Sequence, residues 1–274
     1  MATRLRDSGA ASSVELVIVS TEGDRDRDRP LWEIGGKGVF VKEVQAAVLD
    51  GRADVAVHSG KDLPAGTPTG LVIAAVPERA DPRDALIGGR FEAIPTGGTI
   101  ATGSVRRRAQ LAHRRPDLTF AELRGNIDTR LAAAEQFDAI VLAMAGLERL
   151  DRLDAVAEPL GPAVIVPQVA QGALAIECRV DDEAIRSALA GLEHAASRRT
   201  FDTERGFLAE LGGDCDLPAG AHAIVDGDQI RITGVLASLD GHLCLRQEAR
   251  GTEPDRLGRH VARHLLDNGG AALL

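Results

Sequence analysis

Residues 99–150 have the sequence TIATGSVRRRAQLAHRRPDLTFAELRGNIDTRLAAAEQFDAIVLAMAGLERL, and this stretch decides the fold class. Short apolar runs alternate with longer amphipathic runs, a pattern that predicts strands followed by helices. The predicted strands are Thr99–Thr102, Thr119–Leu123 and Ala139–Ala143, and the predicted helices are Ser104–Arg114, Ile127–Glu135 and Gly146–Leu150. Such alternation indicates an α/β fold with mostly parallel sheets covered by helices.

The alternation extends towards the N-terminus. Three further apolar runs are predicted strands, at Val14–Ser20, Asp54–His58 and Leu71–Val76, and Lys37–Asp50 has helical spacing. The charged run Thr21–Pro30 between the first strand and this helix is predicted to be a loop.

The C-terminal part has a different character. Three runs, Ala219–Val225, Gln229–Ala237 and His242–Arg250, predict strands, and the Asp-Gly pairs between them favour hairpin turns. The run Asp255–Leu266 then predicts a helix that ends before two glycines. Together they predict a small α+β domain.

Length and composition indicate a soluble enzyme of two or three domains. The chain has 274 residues and a net charge of −9, and it contains no apolar run long enough to span a bilayer. The first residues lack an apolar signal region. Three cysteines without a CxxC pair argue against a disulfide framework and favour the cytoplasm.

The positive charge is concentrated in one segment. Residues 101–130 contain seven arginines and three carboxylates. Such a patch suggests nucleic-acid binding, but Phe120 is its only aromatic residue, whereas platforms for single strands need several. A small polycarboxylate is therefore the better ligand, and no nucleic-acid partner is expected.

Two residues are candidates for chemistry. Asp62 follows a predicted strand, where open α/β sheets place ligands, although a turn-capping role is the plain alternative. Cys215 lies in an open Gly-Gly/Pro turn, where a thiol is accessible, although a lone cysteine is often only a small residue. His260 and His264 share a helical face without an evident third ligand, so no metal site is expected.

Four collinear motifs carry a resemblance to a known family. GGKGVF at 35–40, DPRD at 81–84, LRGN at 123–126 and QGAL at 171–174 resemble hydroxymethylbilane synthase, also called porphobilinogen deaminase. The resemblance implies two periplasmic-binding-protein-like domains with a cleft between them and a small C-terminal α+β domain. The implied boundaries are 1–76 with 172–192, then 77–171, then 193–274.

The resemblance also implies a function. The family's enzyme is a cytoplasmic, monomeric transferase of tetrapyrrole biosynthesis, which deaminates four porphobilinogen molecules and joins them on a dipyrromethane primer to give hydroxymethylbilane. It implies that Cys215 carries this cofactor as a thioether and that Asp62 is the general acid/base. Carboxylates of the rings are expected to bind Arg106, Arg107, Arg124, Arg130 and Arg149. Secondary contacts are expected from Ser59, Lys61, Thr102 and Gln171, with Phe40 beside the rings. Ser104 is expected to open a helix whose first N–H groups offer an anion site.

The sequence departs from the family pattern at three places. Gly103 stands where the family usually has serine, and Asp214 and Asp216 flank the thiol, where they would raise its pKa and slow cofactor loading. The family's opening Arg-x-Ser-x-Leu-Ala-Leu motif is not found. We therefore expect the chain as written to be less stable and much less active than a version extended upstream with the family's opening strand and helix. The alternative interpretation is a truncated or non-catalytic relative that binds anionic pyrroles without turnover.

Overall fold

The computed structural model describes residues 1–9, 11–20, 41–212 and 217–274 of the chain. The described helices are α1 (Ala2–Asp7), α2 (Lys42–Leu49), α3 (Val105–Arg114), α4 (Ile127–Ala132), α5 (Met144–Arg149), α6 (Glu183–Leu189), α7 (Ala195–Leu211) and α8 (Pro254–Asp267). The described strands are β1 (Val55–Ser59), β2 (Leu71–Ala75), β3 (Asp84–Ile87), β4 (Thr99–Ala101), β5 (Thr119–Ala121), β6 (Ala139–Ala143), β7 (Glu158–Leu160), β8 (Leu174–Arg179), β9 (Ala219–Asp226), β10 (Gln229–Ala237) and β11 (Cys244–Gly251).

The first sheet has the order β1-β8-β2, and both of its pairings are antiparallel. Its central strand β8 comes from a distant part of the chain, after the second sheet is complete. The pairing of Ser59 with Leu174 brings the end of β1 beside the start of β8. This register places the two segments that carry Lys61 and Gln171 close together.

The second sheet has the order β5-β4-β6-β3-β7. Its β4 pairs in parallel with β5 and β6, whereas β3 pairs antiparallel with β6 and β7. Two separate apolar clusters cover its two faces, one around Leu86 and Ile100 and the other around Ile140 and Leu147. The sheet therefore has helices and loops on both sides, as the βα alternation predicts.

The third sheet is the antiparallel meander β9-β10-β11. It packs with α7 and α8 around one large core, which also includes Val76 and Val169 from the segments that connect the first two sheets. The longest described helix, α7, begins at the cap residue His194 and ends at Gly212, which has a left-handed conformation. This helix thus supports both the C-terminal sheet and the two connecting segments.

Two details of the sequence prediction are wrong. Residues 14–20 do not form a strand, and Leu16 and Ile18 are 76% and 95% exposed. The sheets are not mostly parallel, because β8 and β3 each run against their neighbours. The predicted start of the helix at Lys37 lies outside the described residues, in which the helix spans Lys42–Leu49. None of the helices in the described ranges is long and apolar enough to cross a membrane.

Candidate active site

The candidate site begins where β1 ends. Residues Gly60–Asp62 form a short 3-10 turn directly after the strand, and the N–H of Gly60 donates to the carbonyl of Ala173 at 2.9 Å. The turn is therefore fixed to the segment that leads into β8. As a result, Ser59 and Lys61 face Gln171 and Gly172 across a small gap.

The two charged residues of the turn have shifted pKa values in opposite directions. Burial lowers the pKa of Lys61, with Arg107 and Arg106 acting in the same sense against the carboxylates Asp62 and Asp84. Burial raises the pKa of Asp62, whereas the charges of Lys61 and His58 oppose that rise. A carboxyl with a raised pKa holds and releases a proton nearer to neutral pH, which suits acid–base chemistry.

Two of the predicted arginines are held by one buried carboxylate. Arg106 Nη2 lies 2.9 Å from Asp84 Oδ2, and Arg107 Nε lies 2.9 Å from Asp84 Oδ1. Each arginine also donates to a backbone carbonyl. Arg106 donates to the carbonyl of Val166, and Arg107 donates to the carbonyl of Val141. Burial alone would raise the pKa of Asp84, but the two guanidinium groups outweigh it and lower that pKa to about 2.

The local sequence explains why these arginines reach the same carboxylate. Ser104 caps α3 by accepting from the N–H of Arg107, as the sequence predicts for a helix start. The first turn of α3 therefore lies over the second sheet, where β3 begins with Asp84. Because Arg106 and Arg107 are adjacent in the first turn, both reach the start of that strand.

A cavity of about 190 Å³ lies between the turn of Lys61 and the ends of the second sheet. Its lining side chains include one lysine and three arginines. Its described lining residues are Ser59, Lys61, Arg107, Ile127, Arg130, Leu142, Ala143, Ala145, Gly146, Arg149, Gln171, Gly172 and Ala173. None of these described lining residues is acidic, so the cavity is a site of net positive charge.

Arg130 and Arg149 supply charge that the described protein does not neutralise. Arg130 donates to the carbonyl of Gly125 at 2.7 Å, and Arg149 donates to the carbonyl of Gly172 at 2.9 Å, but neither forms a salt bridge within the described ranges. Burial lowers the pKa of Arg130, with Arg107 and Arg124 adding to that effect. Burial likewise lowers the pKa of Arg149. Both side chains are therefore prepared to bind an anion.

Gln171 connects the cavity to the two segments between the sheets. Its Nε2 donates to the Pro82 carbonyl at 2.8 Å and to Asp84 Oδ1 at 3.0 Å, whereas its buried Oε1 has no partner. The next residue, Gly172, has a φ of 86°, and a Cβ there would lie 2.5 Å from the Ala80 carbonyl oxygen. Only glycine allows the two connecting segments to cross so closely.

The remaining predicted residues lie at different distances from the cavity. Arg106 is behind its wall, with a side chain that is 2% exposed, and Asp62 is one residue beyond the lining Lys61. Thr102 is buried and accepts from the N–H of Ser104, so both belong to the start of α3 rather than to the lining. Arg124 is near Arg130 but outside the lining. Phe40 and Cys215 lie outside the described residues.

Sequence reasoning missed two buried carboxylates that organise this region. Asp84 belongs to the quoted DPRD motif, which gave a signal, although no role was assigned to it. Glu177 is fully buried on β8, where its carboxylate lies 3.1 Å from His58 Nε2 and accepts from Gln45 at 3.1 Å. This contact gives His58 a partner within the first sheet.

Comparisons with known proteins agree with the motifs. Residues 1–187 match the family model "Porphobilinogen deaminase, dipyromethane cofactor binding domain", and residues 199–267 match "Porphobilinogen deaminase, C-terminal domain". The porphobilinogen deaminase of Roseiflexus sp. (strain RS-1) is 45% identical over 98% of this chain and 91% of the relative. That of Syntrophus aciditrophicus is 44% identical over 100% of this chain and 92% of the relative.

Among solved structures, the Bordetella pertussis BvgS VFT2 domain is similar at 18% identity, over 56% of this chain and 66% of that chain, with a TM-score of 0.35. A similarity at that score adds nothing to the assignment. The family models and the relatives are sufficient, because they cover nearly the whole chain at high identity. This chain belongs to the porphobilinogen deaminase family.

Proposed function

We propose that the cationic cavity beside the Lys61–Asp62 turn is the place where this chain carries out the reaction of its family. That reaction makes hydroxymethylbilane from porphobilinogen, and family membership establishes the chain as this transferase of tetrapyrrole biosynthesis. The matches do not favour the alternative of a non-catalytic relative. The observation that carries the proposal is a cavity with four cationic side chains and no acidic one among its described lining residues.

The residues fit the family's dipyrromethane cofactor, whose rings carry carboxylates. Arg130 and Arg149 have positive charges that no salt bridge neutralises in the described ranges, and the buried Oε1 of Gln171 lacks a donor, which a pyrrole N–H would provide. We propose that these groups and Arg107 hold the cofactor, with Ser59 and Lys61 at its side. The cofactor supplies the free ring position to which substrate is joined.

We propose that Asp62 moves the protons. The raised pKa of its carboxyl allows it to protonate the departing amine of porphobilinogen and then to act as a base once ionised. As a carboxylate it also stabilises positive charge that develops on a pyrrole ring. Lys61 limits the rise of this pKa by its own charge, so that the acid remains able to ionise.

We assign the attachment of the cofactor to Cys215. Of the three cysteines, Cys178 is fully buried in β8, and burial raises the pKa of its thiol. Burial also raises the pKa of Cys244 on β11. Because a thiolate is the nucleophile, these two thiols are poor candidates for alkylation, which favours the cysteine outside the described residues.

Arg106 has a different proposed role from that expected for a ligand. Its guanidinium is directed to Asp84 and to the Val166 carbonyl rather than to the cavity. We propose that it fixes Asp84 and the connecting segment, so that Arg107 and Gln171 are correctly oriented. Thr102 and Ser104 support the same helix start. Arg124 is proposed as a contact for units added later, because it lies beyond the lining but near Arg130.

We further propose that the protein is a monomer of the cytoplasm that takes porphobilinogen and no nucleic acid. The absence of a nucleic-acid partner is supported by a net charge of −9 and by the location of four cationic side chains in a small cavity. Light scattering after size exclusion tests the oligomeric state. A mass near 58 kDa, twice the 28.8 kDa chain, would contradict the monomer.

The variant Asp62→Asn tests the proposed function. The amide keeps the size of the side chain but does not transfer the proton, so kcat is expected to fall by a factor of about 10² to 10⁴. Asp54→Asn, before the other end of β1, is the matched control and should keep the parent rate. Intact mass reports whether each protein carries the cofactor. Turnover by Asp62→Asn near the parent rate would contradict the assignment.

A further inference from the structure

Helix α7 contacts the Lys61–Asp62 turn and the loop after it through Phe201 and Arg205, which do not line the cavity. Phe201 is fully buried, and its Cε2 lies 2.9 Å from the position of a Cβ at Gly60. The Cβ and the carbonyl oxygen of Ala170 lie at 3.0 and 3.1 Å from the same point. The backbone at Gly60 therefore lies directly against the ring of Phe201, and the space there is too small for a side chain at position 60.

Arg205 extends this contact one helical turn later. Its Cζ lies 5.4 Å from the centre of the Phe201 ring, within the range of a cation–π interaction. Its Nη2 donates to the carbonyl of Ala65 at 2.8 Å. Phe201 thus contacts the residue before Lys61, and Arg205 holds a residue shortly after Asp62. The two functional residues lie between these supports.

The other contacts of Arg205 do not explain its presence. It forms no salt bridge in the described ranges, and its buried Nη1 has no hydrogen-bond partner. The residue also lines a cavity of about 510 Å³. Burial lowers the pKa of its guanidinium. The charges of Asp202 and Glu177 oppose that shift, but neither carboxylate forms a salt bridge with Arg205 in the described ranges. A partly buried cation without a salt bridge costs stability, so a simple packing role would be better served by an apolar residue.

We propose that Arg205, together with Phe201, is a positioning residue for the reaction and fixes the Lys61–Asp62 turn from behind through Gly60 and Ala65. This inference rests on the proposed function, because it presumes that Asp62 moves the proton. Loss of the Ala65 contact frees the loop after Asp62, and the carboxyl then leaves its reactive position for part of the time. Misplacement of a catalytic group by about 1 Å can cost on the order of 100-fold in rate.

The test compares Arg205→Gln with Arg199→Gln. Arg199 lies on the same helix and also donates an Nη2 to a backbone carbonyl, that of Asp228 at 2.6 Å, but on a surface away from the turn. Arg205→Gln is expected to lower kcat about 10-fold or more, with KM within about twofold of the parent and full cofactor mass. Arg199→Gln is expected to keep the parent kcat.

Two further variants separate positioning from simple stability. Arg205→Lys retains a cationic donor for Ala65, so it should recover most of the lost kcat. Ala65→Gly loosens the held loop without changing α7, so it should lower kcat severalfold even where Arg205→Gln folds poorly. A kcat for Arg205→Gln equal to that of Arg199→Gln, or a loss that follows the melting temperature and is not recovered by lysine, would overturn the inference.

Parallel measurement of Asp62→Asn distinguishes the two proposals. If Asp62→Asn turns over at the parent rate, the proposed function fails whatever Arg205 does. If Asp62→Asn is inactive while Arg205→Gln and Ala65→Gly both match the parent, only the positioning role fails.

Discussion

Replacing Asp84 by asparagine should destabilise the protein strongly, because this one carboxylate neutralises two buried guanidinium groups. Its distances to Arg106 and Arg107 are 2.9 Å and 2.7 Å, and its side chain is 0% exposed. Removing one partner of a buried ion pair typically costs about 3–5 kcal/mol. Asp84→Asn should therefore lose several kcal/mol of unfolding free energy at pH 7, measured by urea denaturation.

The pH dependence of the unfolding free energy gives a second measure of the contribution of Asp84. The pKa of Asp84 falls from 3.8 to about 2 in the folded protein. A depressed carboxyl pKa stabilises the fold above the unfolded value, and this contribution is lost as the pH falls through the folded value. At about 1.4 kcal/mol per pKa unit, the contribution is about 2–3 kcal/mol. The parent should thus lose this part of its unfolding free energy between about pH 4 and pH 2, whereas Asp84→Asn should show no such loss.

The matched control is Asp117→Asn. Asp117 is also held by an arginine fork, from Arg115 at 2.6 Å, but on the surface. Exposed pairs of this kind contribute little, so the variant should leave the unfolding free energy nearly unchanged. The reasoning is refuted if Asp84→Asn costs less than about 1 kcal/mol at pH 7, the size of one ordinary hydrogen bond. It is also refuted if the difference in unfolding free energy between the parent and Asp84→Asn begins to shrink well above pH 4.

Three other outcomes are expected. Arg124→Leu should weaken the hold on carboxylates by about 10- to 100-fold, the value of a charge-assisted hydrogen bond, and partly extended chains should accumulate by mass; equal accumulation in the parent would contradict this. Gly258→Ala should cost at least about 1–3 kcal/mol, because its Cβ would overlap a backbone carbonyl oxygen of α7, whereas Gly191→Ala has open space and should be neutral. Cys215→Ala should fold without the cofactor mass, whereas Cys244→Ala should retain it.

The C-terminal sheet was predictable because its signals are local. Asp-Gly turns and strand-forming residues specify hairpins from short range, and Gln229–Ala237 is a strand with the predicted bounds. The helix predicted at Asp255–Leu266 differs from α8 by one residue at each end. Both elements also have residues that favour the observed turn or cap, so that local preference and tertiary packing agree.

Helix α7 was missed because its buried face does not look apolar. Besides Phe201 and Phe207, that face buries Thr200, Thr203 and Glu204. The carboxylate of Glu204 is paired with Arg79 at 2.7 Å, a contact between residues 125 positions apart. A search for apolar periodicity does not find such a helix, because its polar residues are buried by partners that are distant in the sequence.

The prediction of a strand at residues 14–20 was wrong because the local sequence favours a strand that has no pairing partner in the described sheets. The run VELVIVS has high strand propensity, but a strand needs a partner, and the edges of the sheet β1-β8-β2 do not pair with this segment. Strand propensity expresses packing on a sheet more than an intrinsic backbone preference. The sequence alone therefore identified a segment able to form a strand but not the missing partner.

For the site, the sequence identified residue types and the structure supplied their grouping. Lys61, Arg107, Arg130, Arg149 and Gln171 were all predicted, and all line one cavity. The sequence could not predict that only Arg107 lines the cavity, since Arg106 and Arg107 are adjacent arginines in one motif. Only the packing of α3 over β3 shows that one lies behind the wall and the other also reaches the cavity.

The charges of the site fall into a fixed part and an available part. Asp84 neutralises one of the two positive charges of Arg106 and Arg107, so one remains. Arg130 and Arg149 add two more that no described salt bridge neutralises. Each ring of the proposed two-ring cofactor would bring two carboxylates, so the cofactor alone matches these three charges. The units added to it need contacts beyond the lining, and we propose that Arg124, near Arg130, makes one of them. Loss of Arg124 should therefore slow the later additions more than the first.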